Sequence, residues 1–303
     1  MSAVFEQVFI LFAFAAIGYA LVKCGVAKHE HGTLLSRLLV YVFLPANIVK
    51  TFARNCTIPY ITTRSSLMTA AVVIVLVLAV VMHFAAKPLS RDKAEQGAYE
   101  YSMIVPNSGY MGYAFAEAIF GTAGLMDVMM FCIPLNIYIY TVGYCILSRK
   151  KITPRSLLNP TTVAMLLGLA LGLTGVGGSI PAPVYGLLDK ASVCMAPTSM
   201  LLLGVTLAEF GMKGMLKRPP VYIVSLVRLL AMPLLLGGLF TLLDLPLVMR
   251  CAVLVFCMPC GLNTVVFAKN AGEDCSVGAG LSFVSTVLSC ATIPLMAWIF
   301  GLV

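Results

Sequence analysis

Apolar residues fall in ten long runs along the chain, and short polar stretches separate the runs. A helix needs about 20 apolar residues to cross a bilayer, which is close to the length of these runs. They lie near residues 4–23, 33–53, 63–86, 97–120, 125–148, 160–177, 185–210, 220–243, 248–271 and 275–300. The pattern predicts an all-α polytopic membrane protein with ten transmembrane helices.

Prolines interrupt the fourth and the ninth runs, at Pro106 and Pro259, and each is followed by a glycine within three residues. A proline inside a helix removes one backbone donor and clashes with the preceding turn. Irregular backbone at membrane depth survives only where it is buried in protein or lines a wet cavity. We therefore expect both helices to stop and restart, and the two interruptions to form a binding site.

The two halves of the chain repeat these features at a constant offset. Pro45 and Pro197 are 152 residues apart, Pro106 and Pro259 are 153 apart, and the pair Phe-Ala recurs from 115–116 to 267–268. A unit with an odd number of crossings must insert its second copy upside down. The offset predicts two inverted five-helix repeats, residues 1–148 and 160–303, joined by a basic connector at 149–159, with the broken helices 4 and 9 crossing.

Composition and charge agree with a membrane protein. Hydrophobic residues make up 60% of the chain and charged residues only 11%, against about 45–50% apolar residues in soluble domains. The 20 Lys and Arg residues are spread over short loops and do not form one patch, so we expect no nucleic-acid partner. Fourteen of them fall on the side of the connector. By the positive-inside rule, we expect a protein of the cell membrane whose connector side faces the cytoplasm and whose two termini lie outside.

The 10 cysteines have no regular spacing and read as small buried hydrophobes. No basic leader precedes the first run, which has Glu6 near its start. We therefore interpret it as a retained span and not as a cleaved signal peptide. The motif Cys257-Met258-Pro259-Cys260 matches a redox pattern, but nothing around it predicts a thioredoxin-like unit. None of the 3 histidines has a metal-ligand partner at helical spacing. We expect neither a metal nor a cofactor.

The breaks themselves suggest a ligand. A restarted helix exposes N–H groups at its first turn, which carry roughly half a positive charge. Two such ends at one cavity attract an anion, and a carboxylate can accept from several N–H groups at once. The predicted substrate-binding residues are Pro106, Asn107, Ser108, Gly109, Pro259, Cys260, Gly261 and Asn263, with Asn47 and Asn136 as further cavity residues.

Other polar residues within the runs have structural interpretations. Pro45 and Pro197 are better explained as kinks than as binding residues. Arg228 is the one strong cation away from a loop. It begins about 12 Å into its run at the helical rise per residue, and we expect it to extend to the cytoplasmic surface or to pair with Glu209 or Glu100, with direct substrate contact as a less favoured alternative.

The motifs around Pro106 and Pro259, together with Leu44-Pro45, resemble the auxin efflux carrier family, which includes the plant PIN auxin exporters and bacterial permeases for malate and malonate. The resemblance implies the fold of the bile-acid sodium symporters. Spans 1, 2, 6 and 7 would form a scaffold and spans 3–5 and 8–10 a moving transport domain, in an elevator mechanism that often operates in dimers. It also implies that Asn107 contacts the carboxylate. The chain departs from the plant carriers in lacking a long central loop and in having Cys260 at an amide position, which favours a small organic acid over auxin.

The sequence therefore predicts a secondary transporter of small organic anions and not an enzyme. No acidic residue marks the centre of a span, which favours uncoupled movement of the anion down the membrane potential. A sodium- or proton-coupled symporter on the same scaffold is the alternative. A passive channel and an intramembrane hydrolase are more distant alternatives. The hydrolase would need paired acids or a histidine pair that the sequence does not supply.

Overall fold

The computed structural model describes residues 2–151, 160–210 and 217–302. Within these ranges the regular elements are helices, and the strand-like pairing consists of one antiparallel bridge between Pro106 and Cys260. Most of the predicted connector, residues 152–159, lies outside the described residues.

The α-helices of residues 2–151 are α1 (Ser2–Lys23), α2 (His29–Leu38), α3 (Leu44–Asn55), α4 (Ile58–Thr63), α5 (Ser65–Ala86), α6 (Lys93–Ile104), α7 (Tyr113–Tyr138) and α8 (Tyr144–Leu147). Those of the later described ranges are α9 (Pro160–Leu173), α10 (Ala182–Val193), α11 (Met195–Phe210), α12 (Pro219–Leu226), α13 (Met232–Leu242), α14 (Pro246–Phe256), α15 (Asn263–Ala271) and α16 (Ser276–Ile299). Helix α7 is kinked at Gly121, whose φ of 68° and ψ of −174° are not helical.

Several α-helices run into one another and form longer apolar stretches. Among the described residues, six stretches are long and apolar enough to cross a membrane, and α9 and α14 are shorter apolar helices. This confirms an all-α polytopic membrane protein, while the ten-span inverted repeat stays a prediction. The six stretches are Glu30–Asn55, Ser65–Leu89, Ala123–Leu147, Ala182–Glu209, Pro219–Leu242 and Ser276–Ile299.

Two of the intramembrane prolines are accommodated without ending the helical stretch. A π-helical turn at Leu39–Phe43 lies just before Pro45, and another at Val227–Ala231 lies just before Pro233. A proline has no N–H for the carbonyl four residues earlier, and that carbonyl falls inside the wider turn in both places. Pro45 therefore has a structural role in a continuous stretch, as the sequence indicated.

The helices pack in two groups. In the first helix group, α1 packs on α11, α11 on α2, and α9 and α10 pack on α3. In the second helix group, α5 packs on α6 and α7, α14 packs on α7 and α13, and α12 packs on α16. Contacts between the groups include α2 with α15 and α11 with α16. Two polar contacts cross there: Ser36 Oγ donates to the Val266 carbonyl at 2.7 Å, and Lys269 Nζ lies 2.5 Å from Glu209 Oε2.

Glycines allow α1 and α11 to approach closely within the first helix group. A Cβ atom added to Gly204 would lie 1.9 Å from the Ala15 carbonyl oxygen, and one added to Gly18 would lie 2.3 Å from the Leu201 carbonyl oxygen. Backbones that pack this closely gain van der Waals contact, which is a main source of helix association in a bilayer. The α1–α11 contact therefore depends on the absence of side chains at both positions.

We expect Gly204→Ala to destabilise the protein by about 1–3 kcal/mol, because the new methyl group overpacks a backbone contact. The measurement is the apparent melting temperature of the purified protein in detergent. Gly238→Ala in α13 is the matched control, because no atom lies within 4 Å of its added Cβ and alanine favours helix by about 1 kcal/mol over glycine. Equal melting temperatures for the two variants would contradict the close α1–α11 contact.

Candidate functional site

The two interrupted chains meet and pair with each other. Helix α6 ends at Ile104 and the chain turns helical again at Ser108, while α14 ends at Phe256 and α15 begins at Asn263. The Asn107 N–H donates to the Pro259 carbonyl at 2.8 Å, and the Gly261 N–H donates to the Val105 carbonyl at 3.1 Å. Both breaks that the prolines predicted are thus present, and the two segments satisfy part of each other's backbone.

Helix α16 supports the bridge from behind. The Cys260 N–H donates to Ser285 Oγ at 2.9 Å, and the same hydroxyl donates to the Leu281 carbonyl at 2.6 Å. Thr264 Oγ1 donates to the Gly261 carbonyl at 2.9 Å. Hydroxyl groups therefore replace helical partners that the break removes, which is how interrupted membrane helices are commonly stabilised.

Asn107 is the most unusual residue of the crossing. The residue is 1% exposed, and neither its Nδ2 nor its Oδ1 atom has a hydrogen-bond partner among the described residues. Leaving such groups unpaired in a low-dielectric interior costs about 1–3 kcal/mol each. An unpartnered buried amide is therefore expected to have a functional reason.

A small cavity of about 30 Å³ lies beside the crossing, and Asn107 is part of its wall. Eight of the ten predicted binding residues line it. Pro259 and Cys260 do not line it, and both are buried in the bridge. The lining residues predicted from the sequence are Pro106, Asn107, Ser108, Gly109, Gly261, Asn263, Asn47 and Asn136.

The first helix group, α7 and the π-helical turn after it (Ile139–Gly143) supply lining residues that the sequence interpretation missed. They include Thr51, Met195, Tyr113 and Tyr140. Thr51 follows the predicted Asn47 by one helical turn, so the i, i+4 spacing of polar residues was the available signal. Among the described residues, the lining contains no Asp, Glu, Lys or Arg. The described wall of the cavity thus mixes polar and apolar side chains and carries no formal charge.

A larger cavity of about 650 Å³ shares Asn47 and Thr51 with the first one. Asn55 continues the same face of α3 by one further turn and lines the larger cavity. Lys50 and Arg54 also line it. Lys50 Nζ lies 2.5 Å from Asp189 Oδ1, and the Arg54 guanidinium carbon lies 3.7 Å from the Tyr185 ring centroid. Asn47, Thr51 and Asn55 thus form a polar stripe on α3. The stripe leads from the crossing to the larger cavity, here called the vestibule, which Lys50 and Arg54 line.

The two favoured sequence interpretations of Arg228, extension to the cytoplasmic surface and pairing with Glu209 or Glu100, are wrong. Its side chain is 0% exposed and does not reach the surface. Glu209 pairs with Lys269 at 2.5 Å, and Glu100 Oε2 lies 3.0 Å from His83 Nδ1. The sequence missed the real contacts because they are backbone carbonyls on other helices, which a pattern of side chains cannot indicate.

The guanidinium of Arg228 donates to the carbonyls of Met103 at 3.2 Å and Ile104 at 3.5 Å, at the end of α6. It also donates to the carbonyl of Val255 at 3.4 Å, in the last turn of α14, and to that of Met258 at 3.3 Å, just after this helix. None of these four carbonyl residues lines the cavity. Arg228 therefore joins the two helices that lead into the crossing.

Metal and thiol chemistry find no support in the part of the chain that the structure describes. The described residues contain no group of three or more His, Cys, Asp or Glu that could hold a metal ion. Cys257 and Cys260 are free and buried. The arrangement can bind a small polar ligand, and none of the described residues that line the cavity is Asp, Glu, His, Lys or Cys.

A family model described as membrane transport protein matches residues 3–155 and 147–297, and so nearly the whole chain. The chain belongs to this family. The match confirms the resemblance to the auxin efflux carriers that the proline motifs indicated. The chain is therefore an integral membrane protein of a transporter family.

Curated relatives in the membrane transport protein family span the same length. An "Uncharacterized transporter" of Methanothermobacter thermautotrophicus is 25% identical over 96% of this chain and 96% of its own. One of Methanocaldococcus jannaschii is 24% identical over 97% and 98%. A protein of Rhizobium meliloti named "Putative malonate transporter" is 24% identical over 97% and 94%.

We expect Ser285→Ala to destabilise this family member by about 1–3 kcal/mol, because it leaves the buried Cys260 N–H without an acceptor. Ser289→Ala is the matched control: Ser289 is also buried on α16, but its hydroxyl donates only to the Thr286 carbonyl within its own helix. The melting temperatures of the two variants are compared in the same detergent. A loss of stability for Ser289→Ala as large as for Ser285→Ala would show that α16 does not support the bridge.

Proposed function

We propose that the protein is a secondary transporter of small organic anions, and that a carboxylate binds at the crossing of the two interrupted helices. The observation that carries this proposal is the Asn107 side chain, which is buried, unpartnered and in the wall of the cavity. Its Nδ2 can donate to a carboxylate oxygen. The helix starts at Ser108 and Asn263 add backbone N–H groups and the positive ends of two helix dipoles.

The two helix groups support an elevator mechanism. The crossing and its supports belong to the second helix group, while Asn47, Thr51 and Met195 of the cavity wall belong to the first. A cavity of about 30 Å³ holds a few water molecules at most. Binding of a malonate-sized anion therefore needs the groups to separate at this wall. In our proposal the second group moves as the transport domain and the first stays as the scaffold.

The same proposal includes ten spans in two inverted repeats. The protein lies in the cell membrane, with its connector side facing the cytoplasm and both termini outside. The loop charges and the pairing of two proline breaks support it. The resemblance to a family that often forms dimers suggests a homodimer.

Malonate is the first substrate to test. The Rhizobium meliloti relative is named for malonate, and a short dicarboxylate matches the polar wall without needing a large apolar pocket. No described residue of the cavity lining is Asp or Glu, which argues against a coupling ion bound beside the substrate. An anion that leaves an interior-negative cell gains about 2.3 kcal/mol per charge per 100 mV. We propose uncoupled, electrogenic transport, with the ion-coupled symporter as the alternative.

Asn107→Ala should weaken malonate binding by about tenfold or more, because a hydrogen bond to a charged group contributes about 1.5–3 kcal/mol. The dissociation constant is measured with purified protein by equilibrium binding or by thermal stabilisation. Asn270→Ala on α15 is the control, since Asn270 does not line the cavity. An unchanged affinity in Asn107→Ala, with normal binding by the control, would remove Asn107 from the site.

Proteoliposomes should take up labelled malonate faster when the interior is made positive, with no sodium or proton gradient imposed. Uptake should saturate and should show counterflow, which a passive channel would not. A strict requirement for sodium, or for a proton gradient, would favour the symporter alternative and contradict uncoupled transport.

A further inference from the structure

Arg228 binds backbone carbonyls of the crossing that do not line the cavity. The carbonyls of Met103, Ile104 and Val255 lie at the C-terminal ends of α6 and α14, the two helices that stop at the bridge, and that of Met258 lies between α14 and Pro259. The last carbonyls of a helix have no partner within the helix and carry roughly half a negative charge. Two negative helix ends thus converge on one guanidinium.

The charge of Arg228 is balanced by these dipoles and not by a carboxylate. Among the described residues, no acid forms a salt bridge with it. The two acids that the sequence predicted as partners pair with other residues, Glu209 with Lys269 and Glu100 with His83. Its other close partner is the Phe256 ring, whose centroid lies 4.8 Å from the guanidinium carbon. A full positive charge is therefore held in a fully buried place by partial negative charges alone.

Helix ends of this kind have a known use in transporters. Where membrane helices are broken, the carbonyls of their C-terminal ends and unwound segments coordinate the coupling cation, while the opposite ends face the anionic substrate. In this protein the substrate-facing side is the cavity at Asn107, and the carbonyl side is occupied by a side chain of the chain itself.

We propose that Arg228 is a tethered cation that takes the place of a coupling ion at the crossing. It is a positioning residue: it neutralises the two helix ends, holds them together and keeps the crossing electropositive, and it does not touch the substrate. The role of Arg228 in transport rests on the proposed function. In that role, Arg228 allows a carboxylate to bind with no cation from solution. Its structural part, a cation site that a side chain fills, is testable without a substrate.

The test removes the side chain and offers a soluble cation in its place. Arg228→Ala should have a melting temperature several degrees below wild type in buffer whose only cation is N-methylglucamine. Millimolar guanidinium should raise it in a saturable manner, and sodium should do so to a smaller extent. Wild type should not respond. Arg228→Met is the control, because its side chain fills the space with no charge and leaves no room for the ion.

Malonate binding provides the second measurement. Arg228→Ala should bind malonate at least tenfold more weakly than wild type, and the guanidinium that stabilises it should restore most of that loss. Arg228→Lys should bind better than Arg228→Met, since a role in charge needs the cation, whereas a role in packing alone would favour the methionine. The Lys and Met pair decides the question if Arg228→Ala does not fold.

The outcomes separate this inference from the proposed function. A wild type that ignores malonate would contradict the proposed substrate, while rescue of Arg228→Ala stability by guanidinium would still support the tethered cation. Equal stability of Arg228→Ala and wild type, a loss that no cation reverses, or Arg228→Met equal to Arg228→Lys would overturn it. A sodium requirement of the wild type for stability or binding would overturn it as well.

Discussion

Two backbone hydrogen bonds between the interrupted helices hold the residues at the centre of this protein in position. No water in a bilayer core can satisfy a free backbone group, and each unpaired group there costs several kcal/mol. A single break would leave such groups exposed. Two breaks placed together can pair, as Asn107 does with Pro259 and Gly261 with Val105. The bridge is therefore the reason that two prolines 153 residues apart in the chain come to share one site.

The bridge also separates charge. Helices that stop at it present carbonyl ends, and helices that start from it present N–H ends. Arg228 binds the carbonyl ends of α6 and α14, while the cavity lies beside the starts at Ser108 and Asn263. One irregularity in the backbone thus presents helix ends of both signs. The unpartnered amide of Asn107 lies in the wall of the cavity, beside the helix starts.

The sequence predicted the features that depend on local chemistry. Pro106 and Pro259 each lack a backbone donor and have a glycine within three residues, which favours a break, and most residues next to the breaks line the cavity. The sequence could not predict the partners that arrive from elsewhere in the chain. Ser285 meets Cys260 across 25 residues, and Arg228 meets the Met103 carbonyl across 125. Contacts with carbonyls leave no pattern of side chains, which is why the interpretation of Arg228 failed.

The division of the cavity wall decides what kind of motion can open it. The bridge, Ser285 and Arg228 all lie in the second helix group, so this group can move as a unit without breaking the hydrogen bonds that make the site. Asn47 and Thr51 lie on α3 of the first group, where the polar stripe continues into the vestibule. Separation along this wall would join the two cavities. A rearrangement within the second group would instead expose unpaired backbone in the membrane, which is the physical reason that our proposed mechanism has one group slide past the other.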